Sequence, residues 1–580
     1  MDRRYCPRFA ALSIAGAILV FPDSNHPDRK ALLMRTRPGW NHKIFREGAD
    51  SRIARRRELL AMVGFSVLLA AAPAAANVKL PALISDNMVL QQGQPAAIWG
   101  TADPGEEVTV SLDGEKRETT AASNGRWKVE LGPLKAGGPW EMTVAGINTL
   151  TIHNVLVGEV WVCSGQSNME YAVEGRPGVL GGVMNAGEEV AAAHYPRLRL
   201  FKVQVAVAGK PQSDVQGHWE MASPGTVRDF SAAGYFFGRD LHQALRVPVG
   251  MIDSSKGGTP AEAWMSVATL EADPALKMVL DSWRQIIAEY PQVLDKYEQA
   301  LSGWEKSAEQ AEAGGKVAPQ FPKPPQDPRS HRWRDAGLWN GMIAPLTPYR
   351  IAGVIWYQGE SNADSPYQYR HVFTRLIRSW RRAWGEGDFP FLFVQLASFK
   401  VGGEDPDSWA VLRESQAKAL ALPKTGMAVA IDIGDAHSIH PRNKQEVGRR
   451  LALAAEAVAY GRKVDDQGPT FKSLRAEKGT LRLRFSHVDG GLAARGGALA
   501  GFQIAGEDQK FVPAEAQIQG SEVVLSSPLV PKPLAARYAW ADYPQCNLYN
   551  RAGLPAPPFR TDRWTVTLQE HVRTAAPKLW

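Results

Sequence analysis

Residues 77 to 154 alternate between apolar and polar side chains in short stretches, with turn sequences between them. The turns are Asp103-Pro104-Gly105, Leu112-Asp113-Gly114 and Ser123-Asn124-Gly125. Because successive side chains of a strand point to opposite faces, the alternation predicts strands at 96–100, 107–112, 125–131 and 140–144. Short strands at regular spacing predict a small β-sandwich module over residues 77–154.

The pattern changes at Val155, where nearly continuous apolar runs replace the alternation. Such runs are typical of strands that are buried on both faces of a sheet. They occupy residues 155–162, 247–252, 351–356, 389–395 and 427–433. Stretches with helical spacing lie between them, at 235–245, 367–384 and 444–460. This order predicts an α/β fold with a doubly wound sheet over residues 155–460, and such sheets carry catalytic groups at the carboxyl ends of their strands.

A helical insertion is predicted inside the α/β region, between residues 266 and 334. Residues 267–314 carry apolar side chains at three- and four-residue spacing, and residues 319–328 are rich in proline. A long helix followed by an extended return leg accounts for both features. The insertion is either a lid or substrate platform, or a decoration without a role in function.

Strands and turns return after Tyr460 and continue to Trp564. Candidate strands lie at 481–485, 500–504, 522–525 and 537–540. Their alternation predicts a C-terminal β-rich module over residues 461–580.

The positive charge of the chain is confined to its first 76 residues. The 580-residue chain has 67 Lys and Arg against 60 Asp and Glu, a formal net charge of +7. Residues 1–76 hold 13 of the basic and 6 of the acidic residues, so 54 of each remain in the rest. A neutral body exerts no long-range attraction on phosphate backbones, and we expect no nucleic-acid partner.

The segment before Asn77 has the features of a secretory signal peptide. Arg55-Arg56-Arg57 precede an uncharged apolar run at 59–72, and Ala74-Ala75-Ala76 close it with small residues. The run is short for a membrane span. We expect cleavage before Asn77, export to the periplasm or medium, and no stable membrane insertion afterwards; the alternative is an uncleaved anchor. Residues 1–50 fit no signal peptide, so the true start is expected downstream of residue 1.

Four short segments follow predicted strands and carry candidate chemistry. They are Gly165-Gln166-Ser167-Asn168-Met169, Ser254-Ser255-Lys256-Gly257-Gly258-Thr259, Trp356-Tyr357-Gln358-Gly359-Glu360-Ser361-Asn362 and Asp432-Ile433-Gly434-Asp435-Ala436-His437-Ser438-Ile439-His440-Pro441. A serine at a strand end is either a nucleophile or a helix N-cap, and Met169 stands where a nucleophile elbow has its second glycine. Paired glycines form either a tight turn or a site where backbone N–H groups approach an oxyanion.

The third and fourth segments offer polar groups of other kinds. Gln358 could donate its side-chain amide to an oxyanion, and Glu360 could bind a sugar hydroxyl or cap the next helix. A loop histidine at the carboxyl edge of a sheet can act as general base to a serine elsewhere in the chain. The chain after residue 76 has two cysteines, Cys163 and Cys546, and no His/Cys cluster, so no metal site or disulfide is expected.

These segments together resemble the sialate O-acetylesterase-like branch of the SGNH-hydrolase carbohydrate esterases. The resemblance rests on the Gly165–Met169 block, Gly257-Gly258-Thr259, Trp356-Tyr357-Gln358-Gly359-Glu360-Ser361, Ile439-His440-Pro441 with Lys444, and Asn340-Gly341-Met342. It runs from about residue 83 to 564. It implies a flavodoxin-like sheet and removal of acetyl groups from glycans, without a cofactor.

The resemblance also implies roles for individual residues. Ser167 is the nucleophile and His440 the general base. The oxyanion hole comprises the Ser167 N–H, an amide of Gly257 or Gly258 and the Gln358 side chain. Glu360 and Asn340 are expected to contact the substrate.

The sequence departs from the usual family pattern at the acid that orients the histidine. His437 and Ser438 occupy the two positions, three and two residues before His440, where the family places an aspartate. We expect Asp435 to take this role, with Asp432 or a backbone carbonyl as alternatives that would leave a Ser–His dyad. His437 is an alternative base.

The sugar is not identified by these motifs. The long insertion suggests a ligand larger than one monosaccharide, so we expect acetylated hemicellulose oligosaccharides from xylan or xyloglucan. The first alternative is an O-acetylated sialic acid. The second is a non-catalytic carbohydrate-binding protein, because the acid is missing from its usual position.

Overall fold

The structure is a computed structural model that describes residues 77–402 and 407–568, together with residues 577 and 579. The predicted signal peptide lies outside these residues. No helix in the described part of the chain is both long and apolar enough to cross a membrane.

Seven strands begin the described chain. They are β1 (Val89–Gln91), β2 (Ala96–Thr101), β3 (Glu107–Leu112), β4 (Glu115–Thr120), β5 (Arg126–Leu131), β6 (Gly137–Ala145) and β7 (Thr149–Gly165). β3 pairs with β4 and β6, β6 pairs with β7, β2 pairs with β5, and β1 runs parallel to β7. The four strands predicted between residues 96 and 144 are confirmed.

β7 crosses the boundary that the sequence pattern places after residue 154. Its first half alternates between exposed and buried side chains, whereas residues 155–165 are buried without a break. The change of pattern therefore marks a change of burial within one strand. The N-terminal strands and the central sheet share β7.

The central sheet continues with six more strands. They are β8 (Tyr195–Lys202), β9 (Trp219–Ala222), β10 (Val249–Ser255), β11 (Gly353–Tyr357), β12 (Phe391–Gln395) and β13 (Thr425–Val429). The order is β13-β12-β11-β7-β10-β8-β9, parallel except for β9. Gly165 at the end of β7 is aligned with Ser255 on one side and Tyr357 on the other. The chain segments after these three strands therefore emerge at one edge.

The structure corrects two details of this sheet. β8 and β9 form an edge that the sequence did not predict, because Arg197 and Arg199 interrupt the apolar run of β8. The strand predicted at 427–433 ends at Val429, and Ile431–Ile433 form a 3-10 turn.

Eight α-helices accompany the strands in the described residues. They are α1 (Ser167–Glu170), α2 (Ala186–Ala191), α3 (Ala232–Leu245), α4 (Val267–Glu271), α5 (Pro274–Ala313), α6 (Pro366–Trp384), α7 (Ser408–Ala417) and α8 (Lys444–Val458). The helices predicted at 235–245, 367–384 and 444–460 are confirmed as α3, α6 and α8. α4 and α5 occupy the predicted helical segment between β10 and β11.

Helices cover both faces of the central sheet. Trp161 of β7 contacts Phe237 of α3, with ring centroids 5.0 Å apart. Trp356 of β11 contacts Trp380 of α6 at 5.7 Å. The register aligns Trp356 with Ser164, an odd number of residues from Trp161, so the two tryptophans point to opposite faces. α3 and α6 therefore pack on opposite sides of the sheet.

Ten strands follow α8. They are β14 (Thr470–Glu477), β15 (Thr480–Ser486), β16 (Leu492–Ala494), β17 (Phe502–Ala505), β18 (Val512–Pro513), β19 (Glu515–Gln519), β20 (Glu522–Ser526), β21 (Ala535–Tyr538), β22 (Leu548–Asn550) and β23 (Phe559–Arg560). They form the antiparallel sheets β14-β15-β20-β19 and β18-β17-β21-β23 and the pair β16-β22. Their hydrophobic core includes Val429 and Ile431, so they pack against the end of β13.

A buried arginine joins the C-terminal strands to the central sheet. Arg413 of α7 is completely buried. Its guanidinium donates to four carbonyl oxygens at 2.8–2.9 Å, those of Leu396, Ala397, Ala541 and Asp542. Two of these carbonyls belong to the segment after β12 and two to the segment after β21.

Replacing Arg413 with methionine is expected to destabilise the protein by at least about 3 kcal/mol, because it leaves four carbonyls without their donor. The midpoint of urea denaturation measures the loss. Arg382→Met, at an exposed position of α6, is the control and should leave the midpoint unchanged. Equal midpoints for the two variants would contradict the assigned role of Arg413.

Candidate active site

Ser167 stands at a sharp turn between β7 and α1. Gly165 has φ of 135°, and a Cβ at this position would collide with the carbonyl oxygen of Tyr357. Only glycine allows this turn at such close approach to β11. The turn leaves Ser167 partly exposed as the first residue of α1, at the carboxyl end of the central strand.

The structure brings Ser167 and His440 together from positions 273 residues apart. Ser167 Oγ lies 2.8 Å from His440 Nε2. Burial lowers the pKa of His440, and the positive charges of Lys444 and Arg176 lower it further. The imidazole is therefore neutral near pH 7, and its unprotonated Nε2 can accept the serine proton.

Asp435 does not orient the imidazole of His440. Its Oδ1 accepts hydrogen bonds from the backbone N–H groups of His437 (2.7 Å) and Ser438 (3.2 Å), and its side chain is exposed. The carboxylate therefore shapes the loop before His440, and the prediction that it forms a triad is wrong for this structure. His437, the alternative base, is exposed as well.

Asp432, the alternative acid, also binds other residues instead of His440. Asp432 forms a bidentate ion pair with Arg450, at 2.6 and 2.8 Å, and accepts a hydrogen bond from Tyr549 at 3.0 Å. No carboxylate or carbonyl among the described residues forms a hydrogen bond with the ring of His440. The arrangement is a Ser–His dyad.

Asp435→Asn is expected to change kcat/KM by no more than about threefold, whereas amidation of a triad carboxylate costs about 10⁴-fold. The amide oxygen of asparagine can still accept both loop N–H groups. Hydrolysis of 4-nitrophenyl acetate measures the effect. A loss above a hundredfold would mean that the carboxylate reaches His440 during the reaction.

The glycine loop after β10 lies against Ser167. A Cβ on Gly257 would lie 3.2 Å from the Cβ of Ser167. The N–H of Gly257 donates to Glu170 Oε2 at 2.7 Å, so this amide is not free to bind an oxyanion. Among the described residues, the N–H groups of Ser167 and Gly258 have no hydrogen-bond partner. The expectation for Gly257 is thus corrected, and Gly258 keeps a free donor.

The segment that returns from α5 touches the same loop. Arg332 Nε donates to the carbonyl oxygen of Gly258 at 3.1 Å, and Trp333 Nε1 donates to it as well. On the other side of the loop, Glu170 pairs with Arg176 at 2.8 Å and with Lys256 at 3.5 Å. Three cationic side chains, those of Arg176, Lys256 and Arg332, therefore contact Glu170 or the glycine loop beside Ser167.

Two predicted contact residues point into the core. The Gln358 amide donates to Asn362 Oδ1 (2.7 Å) and to the carbonyl of Thr259 (3.3 Å), so both of its hydrogens are used. Asn340 is 3% exposed and donates to the carbonyl of Ala208. The structure supports neither Gln358 as an oxyanion donor nor Asn340 as a substrate ligand, because neither amide faces the serine.

Known protein families and sequences resemble this chain. A family described as "Carbohydrate esterase, sialic acid-specific acetylesterase" matches residues 331–457, which include His440. Sialate O-acetylesterase of Mus musculus is 33% identical over 527 residues, covering 82% of this chain and 92% of that protein. The Homo sapiens protein of the same name is 32% identical over 550 residues, covering 85% and 94%.

The chain belongs to the sialate O-acetylesterase family. The crystal structure of a carbohydrate acetylesterase from Xanthomonas citri is 39% identical, with a TM-score of 0.70, and the match covers 84% of this chain and 100% of that one. The family and the enzyme class, a carboxylic ester hydrolase of the acetylesterase type, are as predicted. The α/β fold with additional β sheets agrees with the same neighbour.

Three polar residues lie behind Ser167 and His440, and sequence reasoning gave no role to the two buried ones, Asn168 and Lys444. Asn168 Nδ2 donates to Glu360 Oε1 (2.5 Å) and to the carbonyl of Ile439 (3.0 Å). Lys444 Nζ donates to Asn168 Oδ1 (2.6 Å) and to the carbonyl of Pro441 (2.8 Å). Glu360 is thus part of an internal network, and its other oxygen, Oε2, is buried without a partner in the described residues.

Burial sets the protonation of this network. It lowers the pKa of Lys444 to about 7, although the nearby Glu360 opposes the shift. It raises the pKa of Glu360, against the hydrogen bond from Asn168 and the charge of Lys444. One signal in the sequence marks Lys444: it lies three and seven residues before Val447 and Leu451, on the buried face of α8.

Proposed function

We propose that the chain removes acetyl groups from O-acetylated sugars through an acetyl-enzyme on Ser167. The observation that carries this proposal is the 2.8 Å contact between Ser167 Oγ and His440 Nε2 at the carboxyl edge of the sheet. The free N–H groups of Ser167 and Gly258 beside it would bind the oxyanion. One such donor contributes about 2.7–4 kcal/mol to lowering the barrier.

The reaction has two acyl-transfer steps. His440 Nε2 takes the Ser167 proton while Oγ attacks the acetyl carbonyl carbon. The bond from that carbon to the sugar oxygen breaks, and the His440 proton passes to the leaving alcohol. Water then gives a proton to His440 and attacks the acetyl-enzyme, acetate leaves, and the proton returns to Ser167.

We propose O-acetylated sialic acids as the substrate in preference to the hemicellulose oligosaccharides that the long insertion suggested. The mouse and human relatives are sialate O-acetylesterases. Arg176, Lys256 and Arg332 contact Glu170 or the glycine loop beside Ser167, and cationic groups attract the carboxylate of a sialic acid but gain nothing from a neutral xylan. Arg332 is the one of the three that forms no ion pair in the described residues.

Acetate release by the full chain tests both proposals. The substrates are 9-O-acetyl sialic acid, acetylated xylan and acetylated xyloglucan oligosaccharides, with Ser167→Ala as the control. Preference for the sialic acid supports the assignment, and preference for either hemicellulose overturns it while leaving the esterase in place. Oligosaccharide binding with no acetate release from any substrate would support the non-catalytic alternative.

The pH dependence of kcat/KM follows from the depressed pKa of His440. The base must be neutral, so activity falls as the pH drops through this pKa, which burial and two cations hold below its usual value near 6.5. We expect activity to persist into the mildly acidic range. A pH profile with 4-nitrophenyl acetate measures the acid limb, and a midpoint above 6.5 would contradict the environment described for His440.

The domain organisation and the export of the protein are proposals as well. We propose an SGNH-type sheet over residues 155–460 with an insertion at 266–334, flanked by β modules over 77–154 and 461–580, with β7 shared across the first boundary. We propose export after cleavage before Asn77. N-terminal sequencing of the exported protein tests the cleavage site, and a start at a different residue would revise it.

A further inference from the structure

His440 lacks the carboxylate that orients the histidine of a triad, yet the chain is held on both sides of it. The carbonyl of Ile439, directly before it, accepts a hydrogen bond from Asn168 Nδ2 at 3.0 Å. The carbonyl of Pro441, directly after it, accepts one from Lys444 Nζ at 2.8 Å. Both donors belong to helices rather than to the loop itself, Asn168 to α1 and Lys444 to α8.

The two donors are fixed to each other. Lys444 Nζ lies 2.6 Å from Asn168 Oδ1, and the second acceptor of the Asn168 amide is Glu360 Oε1 at 2.5 Å. Asn168 is 2% exposed and Lys444 is completely buried. Asn168 follows Ser167 directly in sequence. Its side chain therefore connects the turn that carries Ser167 with the loop that carries His440.

We propose that Asn168 and Lys444 are positioning residues that clamp the backbone on either side of His440 and thereby replace the orienting carboxylate. The proposal rests on the Ser–His mechanism above. It assigns no contact with the substrate to either side chain.

A buried ammonium is costly unless its donors are satisfied, which is why its presence here calls for a role. Two of the three Lys444 donors bind Asn168 and Pro441. The ammonium also lies over the rings of Tyr171 (4.9 Å) and Tyr357 (5.3 Å). Hydrogen bonds are stronger in a low-dielectric interior than in water, so these bonds favour the fixed geometry that a clamp requires.

The charge of Lys444 also reaches the imidazole. The charged groups that act on His440 are Lys444 from α8 and Arg176 from the loop after α1, and both lower its pKa. Glu360, from the loop after β11, favours the charged form of Lys444. Tyr171 and Tyr357 stay neutral because burial raises the pKa of both. Lys444, with a pKa of about 7, is therefore still charged where His440 titrates.

Two variants test the clamp with 4-nitrophenyl acetate, Lys444→Met and Asn168→Leu. Each removes its donors and keeps the approximate volume. We expect kcat/KM to fall on the order of 100-fold through kcat, because small displacements of a catalytic group have costs of this size. Removing the Lys444 charge should also move the acid limb of the profile to higher pH, whereas Asn168→Leu should leave it in place.

Arg449→Met is the matched control, because it removes a positive charge from the same helix outside the network. Its profile and rate should equal those of the wild type. Titration of Ser167 with a fluorophosphonate counts the folded active sites, so the rates of partly folded variants remain comparable. Lys444→Gln, which keeps amide donors, provides a second variant if Lys444→Met does not fold.

The deciding measurement repeats both substitutions in a His440→Ala background. Residues that act through His440 should cause no further loss of the residual activity. A full loss in that background, or an acid limb that does not move in Lys444→Met, would overturn the clamp. Wild type and Ser167→Ala, assayed alongside, report on the proposed function separately, since their difference does not depend on the clamp.

Discussion

Replacing Ser167 with alanine is expected to lower kcat for acetyl-ester hydrolysis by about four orders of magnitude or more, since the nucleophile and its base act as a unit. The melting temperature should stay within a few degrees of the wild type. The hydroxyl is partly exposed and has one side-chain partner, His440, so its removal costs about 1 kcal/mol at most. The measurement is the initial rate of acetate release, together with a thermal melt of both proteins.

Mass spectrometry of the reaction supplies an independent reading of the same prediction. Rapid acid quenching of the wild type with 4-nitrophenyl acetate should trap an acetyl group on the peptide that contains Ser167, and the variant should show none. Near-normal hydrolysis by Ser167→Ala would defeat the assignment of the nucleophile. An acetyl group trapped on another residue would identify that residue as the nucleophile instead.

The location of the candidate active site could be predicted because it depends on topology. Parallel strands end at one edge, so segments after β7, β10 and β11 had to meet there, and the registers of Gly165 with Ser255 and Tyr357 show that they do. His440 reaches the same edge from the loop between β13 and α8. The pairing of Ser167 with His440 followed from this arrangement together with the motif.

The direction of a polar side chain after a strand could not be predicted in the same way. Gln358 follows the buried strand β11 and Asn340 precedes it. Nothing in a single sequence shows whether their side-chain amides face the edge of the sheet or the core. Gln358 turns inward because Asn362 and Thr259 offer acceptors there. Asp435 was misassigned for a related reason: a short carboxylate near a histidine often binds the loop backbone instead.

The module boundary shows a second limit of pattern reasoning. Periodicity reports which faces are buried, and β7 changes from one buried face to two without a break in the chain. The change of pattern at Val155 therefore marks where β7 becomes buried on both faces, and it does not mark the end of a strand. By contrast, a charged residue on the apolar face of a helix, as at Lys444, was a usable signal.

The missing carboxylate does not argue for a non-catalytic protein in the way that the sequence suggested. A triad aspartate fixes the tautomer and orientation of its histidine and stabilises the imidazolium. In this chain the loop of His440 is fixed through its backbone, by Asn168, Lys444 and the Asp435 turn. Burial and the charges of Lys444 and Arg176 lower the pKa of His440, and no anionic partner among the described residues opposes them.

Replacing His440 with alanine is expected to cost about four orders of magnitude in kcat, because no other base among the described residues reaches Ser167 Oγ. The loss should be partly restored by added imidazole, since the truncated side chain leaves room beside the serine. The rate with 4-nitrophenyl acetate, measured against imidazole concentration, gives the result.

His437→Ala separates the two histidines of this loop. Its side chain is exposed, and its backbone N–H, which binds Asp435, survives the substitution, so activity should equal that of the wild type. Loss of activity in His437→Ala with activity retained in His440→Ala would reverse the assignment of the base. Rescue by imidazole in His440→Ala but not in Ser167→Ala would show that the His440 variant is defective in proton transfer. Imidazole can replace a base, but it cannot replace the hydroxyl of Ser167.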